Sequence, residues 1–141
     1  MIYLLDTCVI SELVSKQPNS KVVKWIDNIQ DEYTYLSVIT LGEIQRGIEK
    51  LPESKRKQIL VEWLQSDLLI RFQDNILPID IPVIFTWGKF VAQLELAGRK
   101  LPAMDSLIAA TALHHKLHLV TRNEKDFLGT NVMLLNPWSS S

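Results

Sequence analysis

Acidic side chains at four places along the chain have the type and position to do chemistry together: Asp6, Glu43, Asp105 and Asp126, the last preceded by Asn123. Asp6 ends the apolar run Met1-Ile-Tyr-Leu-Leu5, where a carboxylate is costly unless it caps a helix or binds something. Glu43 and Asp126 each follow an apolar, β-branched run, and Asp105 opens a stretch of helical character. Carboxylates crowded into one pocket repel, and without compensation some stay protonated at neutral pH. A divalent cation removes that penalty. Oxygen ligands suit Mg²⁺ or its substitute Mn²⁺, whereas no histidine and cysteine cluster stands at zinc-ligand spacing. Such a pocket serves phosphodiester hydrolysis, in which metal lowers the pKa of an attacking water and neutralises charge on the leaving oxygen. Two ions, if both bind, lie roughly 3.5–4 Å apart.

Each acid also has a plainer reading. Thr40-Leu-Gly-Glu43 is a capping-box pattern, in which Glu43 bonds back to a helix start. Asp105 sits where a helix dipole welcomes any anion. Asp126 reads equally as an exposed turn residue and Asn123 as a turn former. Their common placement, three of them just past strands and Asp105 in the opening turn of a buried helix, is what joins them. Thr7 and Ser11 either hydrogen-bond the Asp6 carboxylate or a phosphate oxygen, or cap the next helix. Arg122 reads as a phosphate contact at the pocket mouth or as an ordinary surface arginine. Cys8 has no histidine near it in sequence and is read as a small packing residue. His114 and His115 close a helix, where partial positive charge is favourable, and with His118 they take a structural reading.

The elements that must position these residues follow from hydrophobic periodicity. Met1 to Leu5 predicts a buried strand, then helices over Val9 to Val14 and Ser20 to Ile29. Tyr33 to Ile39 is β-branched and aromatic, a strand, and Thr40 then starts a helix that Pro52 ends. Glu53 to Arg71 predicts one amphipathic helix whose basic cluster Lys55-Arg56-Lys57 reads as a solvated helix end rather than a phosphate contact. Ile76 to Ile79 is a strand, with Asp80 as N-cap of a helix that stops at Gly98. A helix from about Met104 to His115 is apolar nearly all round, and Leu117 to Thr121 and Val132 to Leu135 are strands. Strands alternating with helices predict an α/β fold with a mainly parallel sheet and helices on both faces. Ligands in such sheets bind outside the carboxyl ends of the strands.

The chain of 141 residues suits one domain, 1–141, and its 47% apolar and 22% charged composition is that of a soluble folded protein. No apolar run approaches the roughly 20 residues of a membrane span, and no basic segment precedes the first apolar stretch. A lone cysteine fits a reducing compartment, so a cytoplasmic location is expected. A net charge of −1 excludes the electrostatic footprint of a strongly basic nucleic-acid binder, leaving phosphates to metal ions and local patches.

Four ordered motifs carry a family resemblance. Ile2-Tyr-Leu-Leu-Asp6-Thr-Cys-Val-Ile-Ser-Glu12, Leu36-Ser-Val-Ile-Thr-Leu-Gly-Glu43, Asp105-Ser-Leu-Ile-Ala-Ala-Thr-Ala112 and Leu119-Val-Thr-Arg-Asn-Glu-Lys-Asp-Phe127 resemble the PIN-domain toxins, in their VapC and FitB-like branch. The closing Asn136-Pro-Trp138 is similar too. The resemblance implies a Mg²⁺-dependent endoribonuclease, the toxin of a type II toxin–antitoxin pair, with a parallel sheet and a tendency to dimerise. It places Asp6, Glu43 and Asp105 on the three core acids and leaves the fourth position open between Asn123 and Asp126. It implies RNA as the substrate of the pocket, with Thr7, Ser11 and Arg122 as candidate contacts. It also implies a VapB or FitA-like DNA-binding antitoxin whose C-terminal segment runs along a groove and offers a basic side chain to the acids. Cys8 departs from the family, which often has Asn there, and a thiol hydrogen-bonds poorly. Two rivals stand beside this reading. One is a catalytically idle subunit of a DNA-binding regulatory complex; the other, a phosphoacceptor receiver domain, needs paired acids near the first strand and a downstream lysine that are not evident.

Overall fold

In the computed structural model, which describes residues 1–139, the first apolar run becomes the middle of the sheet. The strands are Tyr3–Leu5 (β1), Thr34–Ser37 (β2), Ile76–Leu77 (β3), His118–Val120 (β4) and Leu134–Leu135 (β5). All pair in parallel, in the order β3-β2-β1-β4-β5. The chain therefore builds outward from β1 to one edge, then returns to lay β4 and β5 on the other side. That reversal opens a crevice between the carboxyl ends of β1 and β4, the usual ligand position in open α/β sheets.

The helices are Thr7–Leu13 (α1), Ser20–Asp27 (α2), Val38–Glu49 (α3), Lys55–Glu62 (α4), Leu69–Arg71 (α5), Ile81–Leu96 (α6) and Ala103–His115 (α7). Alternation along the strands divides their packing between two cores, because successive side chains point to opposite faces. Tyr3, Leu5, Leu36 and Val120 pack with Val9, Ile10, Val22, Ile26, Ile44, Ile48, Leu64 and Leu68, the layer of α1 to α4 and the turn after it. Leu4 and Leu119 pack on the other face with Phe90, Leu94, Ile108, Ala109 and Ala112 of α6 and α7. The parallel sheet covered on both faces is the one the sequence predicts.

Several boundaries differ from the sequence expectation, some for a plain local reason. Tyr33 closes the 3-10 turn Asp31–Tyr33 rather than opening the strand. The following helix starts at Val38 rather than Thr40, because the Ser37 hydroxyl accepts the Ile39 N–H at 3.0 Å and caps it. The first helix starts at Thr7 rather than Val9, because Asp6 is its cap. In place of one regular helix over Glu53 to Arg71, the chain widens into a π-helical turn at Trp63–Leu68 between α4 and α5, keeping Leu64 and Leu68 buried. The basic cluster there serves helix ends: Lys57 donates to the Glu49 and Leu51 carbonyls and pairs with Glu53, and Arg56 donates to the Val14 carbonyl at the end of α1. Asp80 caps α6 as expected, accepting the Val83 N–H at 3.1 Å. Among the described residues, no helix is long and apolar enough to cross a membrane.

Leu4 is wholly buried on the central strand. Leu4→Ala is expected to cost about 2–5 kcal/mol of stability through lost burial and a residual cavity, read as a lower urea midpoint at unchanged slope.

Candidate active site

Asp6 is the residue around which the site is built. It leaves β1 with its backbone still in the sheet, its N–H donating to the Val120 carbonyl at 2.9 Å, and its side chain is only 6% exposed. One carboxylate oxygen, Oδ1, accepts the Thr7 N–H at 2.8 Å, which starts α1. The other, Oδ2, accepts the hydroxyl of Thr121 at 2.8 Å, from the residue just past β4. The Thr121 hydroxyl oxygen in turn accepts the Asn123 N–H at 3.0 Å, tying the next turn to Asp6. Burial raises the Asp6 pKa above the usual carboxylate range, opposed by these hydrogen bonds, and the charge of Glu43 adds to the rise.

Glu43 lies well inside α3, past its first turn. With Ser37 as the cap, the capping-box reading of Thr40 and Glu43 does not hold. Glu43 points instead across to α1, where its Oε1 accepts the Thr7 hydroxyl at 2.6 Å, and that hydroxyl lies 3.0 Å from the hydroxyl of the buried Thr40. Thr7 thus joins the first two acids, its amide on Asp6 and its hydroxyl on Glu43. Asp105 stands in the first turn of α7 and is half-buried. Its pKa is pushed up to about 6, by desolvation first and then by the charges of Asp6, Glu43 and Asp126. All four acids that the sequence singles out therefore share one electrostatic environment.

At the fourth corner, Glu124–Phe127 forms a 3-10 turn with Asn123 before it. The Asp126 charge acts on Asp105, and Asn123 contributes backbone: its N–H to Thr121 and its carbonyl to the Asp126 N–H at 3.0 Å. Both side chains are exposed. Arg99, which the sequence reading did not single out, clamps this turn by donating to the carbonyls of Asp126 at 2.9 Å and Leu128 at 2.7 Å. Thr40 and Thr121 were also missed; their sole sequence signal is a hydroxyl beside an apolar run at the end where an acid stands.

Cys8 is pushed up to about 11 by burial and the nearby Asp6 charge, so its thiol stays protonated near neutral pH. It lies 3.8 Å from both Asp6 Oδ2 and Thr121 Oγ1 and accepts the Arg122 N–H at 3.5 Å, long contacts that fill the position more than they orient it. Ser11 is exposed on α1. The histidines are remote from this end of the sheet: His114 and His115 close α7, and His118 opens β4 at its amino end.

The donor set is hard oxygen, and among the described residues no lysine, arginine or histidine forms an ion pair with any of the four acids. Such a set suits Mg²⁺ or Mn²⁺ chemically. As the side chains lie, no three of the described His, Cys, Asp or Glu residues meet at metal-holding distance, and Asp6 and Glu43 hydrogen-bond Thr7 and Thr121. Beside Glu43 a groove of about 220 Å³ runs between α1, α3 and α4, lined by Val14, Ile44, Ile48, Leu60 and Trp63.

A parallel sheet in this order with acids gathered at its carboxyl ends defines a class, and comparison with known proteins supplies it: the chain belongs to the PIN domain family, matched over residues 3–130. Within the family it sits beside FitB and VapC proteins. Toxin FitB of Neisseria gonorrhoeae is 40% identical over 135 residues, covering 96% of this chain and 97% of that protein. VapC ribonuclease Y4jK of Sinorhizobium fredii is 34% identical over 135 residues, covering 96% of each. The structure of FitAB bound to an IR36 DNA fragment superposes with a TM-score of 0.94 at 37% identity, over 99% of this chain and 98% of that one.

The raised Asp105 pKa has a definite sign. Between the unfolded value near 3.8 and about 6, the folded protein holds a proton that the unfolded chain has released, so stability falls as pH rises through that window and levels off above it. Asp105→Asn is expected to flatten this slope and to be more stable than the parent at pH 7. The gain is on the order of 1 kcal/mol once solvent screening of a half-exposed group is allowed for. Urea melts at pH 4.5 and 7 check this; a steeper fall in the variant contradicts it.

Proposed function

We propose that the chain is the toxin of a type II toxin–antitoxin pair, a Mg²⁺-dependent endoribonuclease acting in the cytoplasm. The observation that carries this is the electrostatic coupling of Asp105 to Asp6, Glu43 and Asp126 with no basic side chain paired to any of them. Like charges gathered in a crevice without compensation cost stability, and a bound cation recovers that cost. Asp6 and Asp105 are the central ligands in this reading, with Glu43 and Asp126 assisting and Asn123 reaching the site through water, if at all. A bound divalent ion supplies a water of lowered pKa and neutralises charge on the leaving oxygen.

The protein's own groups supply position. Thr121 and the Thr7 amide hold both oxygens of Asp6, so the carboxylate cannot swing away. Thr7 orients Glu43 from the same point, and Arg99 fixes the turn that carries Asp126. The relatives' names support RNA as the substrate and an antitoxin as the partner: a VapC ribonuclease and a toxin, FitB, among the sequences, and FitAB on DNA among the structures. The apolar groove ending beside Glu43 suits an antitoxin segment whose basic side chain reaches the acids, and the charge match makes that docking favourable. A homodimer is part of the same proposal.

The test expresses the chain alone in bacteria beside Asp6→Asn and Asp105→Asn. Growth arrest is expected from the parent only, and the purified parent should cleave RNA with Mg²⁺ and stop with a chelator. Each variant should lose on the order of 100-fold or more in rate, since several kcal/mol of charge stabilisation is at stake. Mg²⁺ should raise the parent's melting temperature and do so less in Asp105→Asn. Folded, antitoxin-free parent protein that is as harmless and inactive as the variants favours the idle regulatory subunit instead.

A further inference from the structure

Next to the acids in the chain, beside Cys8, lies a concavity of about 300 Å³ lined by Cys8, Ser11, Glu12, Ser15, Arg122 and Trp138. Its far wall is the C-terminal segment, folded back onto α1. Asn136 donates to Glu124 Oε1 at 3.1 Å and accepts the Trp138 N–H at 2.9 Å, which turns the indole inward. The indole Nε1–H then donates to Glu12 Oε1 at 3.0 Å, and Ser15 donates to Glu12 Oε2 at 3.1 Å. These bonds spend the Glu12 carboxylate on its neighbours.

Arg122 lies over the Trp138 ring, its guanidinium carbon 5.6 Å from the ring centroid. Its backbone N–H is on Cys8, whose sulfur lies 3.8 Å from Asp6. Among the described residues no protein oxygen accepts from its guanidinium, although five donors stand in a fork matched to phosphate. The chain thus sets an arginine over an aromatic ring, one residue past the threonine that binds Asp6, near enough to Glu12 for its charge to favour that carboxylate but with no hydrogen bond to it. The Ser11 hydroxyl borders the same concavity.

We propose that Arg122, held by Trp138, is the phosphate anchor of a subsite for the nucleotide flanking the scissile bond of single-stranded RNA. This rests on the ribonuclease reading above. The guanidinium takes the flanking phosphate in its fork, and Ser11 is placed to meet a ribose 2′-hydroxyl, the group that distinguishes RNA from DNA. Trp138 is a positioning residue: it holds the cation by cation–π attraction while its own edge is fixed on Glu12.

The test uses the full chain with a short single-stranded RNA. Cleavage by the parent, Arg122→Gln, Trp138→Ala and Trp138→Phe gives kcat and KM. Fluorescence anisotropy of the same RNA over a salt series is read in an Asp105→Asn background, where cleavage is removed. Arg122→Gln should raise KM about tenfold with a smaller change in kcat, and lower the slope of log affinity against log salt by about 0.7, one single-strand phosphate. Trp138→Ala should raise KM with the slope nearly kept, and Trp138→Phe should recover most of it. Arg122 is exposed, so its variant should melt with the parent. Active parent with unchanged KM and slope in Arg122→Gln overturns the subsite and leaves the ribonuclease reading standing. Parent that neither binds nor cleaves RNA overturns both. Unchanged RNA kinetics with weakened affinity for an antitoxin peptide assigns the concavity to the protein partner and also overturns the subsite.

Discussion

A carboxylate buried at the end of the central strand is the constraint on which the rest of the site depends. Asp6 is almost without solvent, and burial of a charge is tolerated only when hydrogen bonds or opposite charge replace water. Two donors do so, the Thr7 amide and the Thr121 hydroxyl. Each comes from a different element, so satisfying one side chain aligns the start of α1 with the end of β4. The same Thr7 reaches Glu43 with its hydroxyl, and the same Thr121 holds Asn123. A network of short polar links runs from this acid through Thr7 to Glu43 and through Thr121 and the Asn123 backbone to the turn that carries Asp126.

The scaffold makes that geometry reproducible. Leu5 and Val120 are in register on neighbouring parallel strands, so Asp6 and Thr121 emerge side by side. Both strand faces are buried, one against α1 to α4 and the other against α6 and α7. A one-residue slip would exchange those faces, which specifies the register strongly. Helix α7 then brings Asp105 to the same end of the sheet, its first turn steadied by Trp87 donating to Ser106, which itself donates to the Ala103 carbonyl.

Electrostatics turns this assembly outward. The chain is nearly neutral as a whole, with 15 basic and 16 acidic residues, yet its crevice concentrates negative charge and its rim carries Arg122. In the proposed reading the crevice takes a cation, whether a metal or a partner's basic side chain, while the rim takes phosphate. On that reading a polyanion can be held by a protein of near-neutral net charge, provided the acids are neutralised first.

The amino-acid sequence alone determined the alternation of strands and helices, the parallel sheet, the family and the positions of the acids relative to strand ends. These rest on local periodicity and on residues ending apolar runs, signals that survive without knowledge of partners. Only the tertiary structure decided what Glu43 does, because its capping-box pattern is locally plausible and is displaced by a Ser37 cap that depends on where β2 stops. It likewise showed that Asp126 lies near enough for its charge to act on Asp105, and brought forward Thr40, Thr121, Arg99 and Trp138. Those residues act across the sheet, through bonds spanning from 27 positions in the chain for Arg99 to 126 for Trp138, and no local pattern encodes such distances.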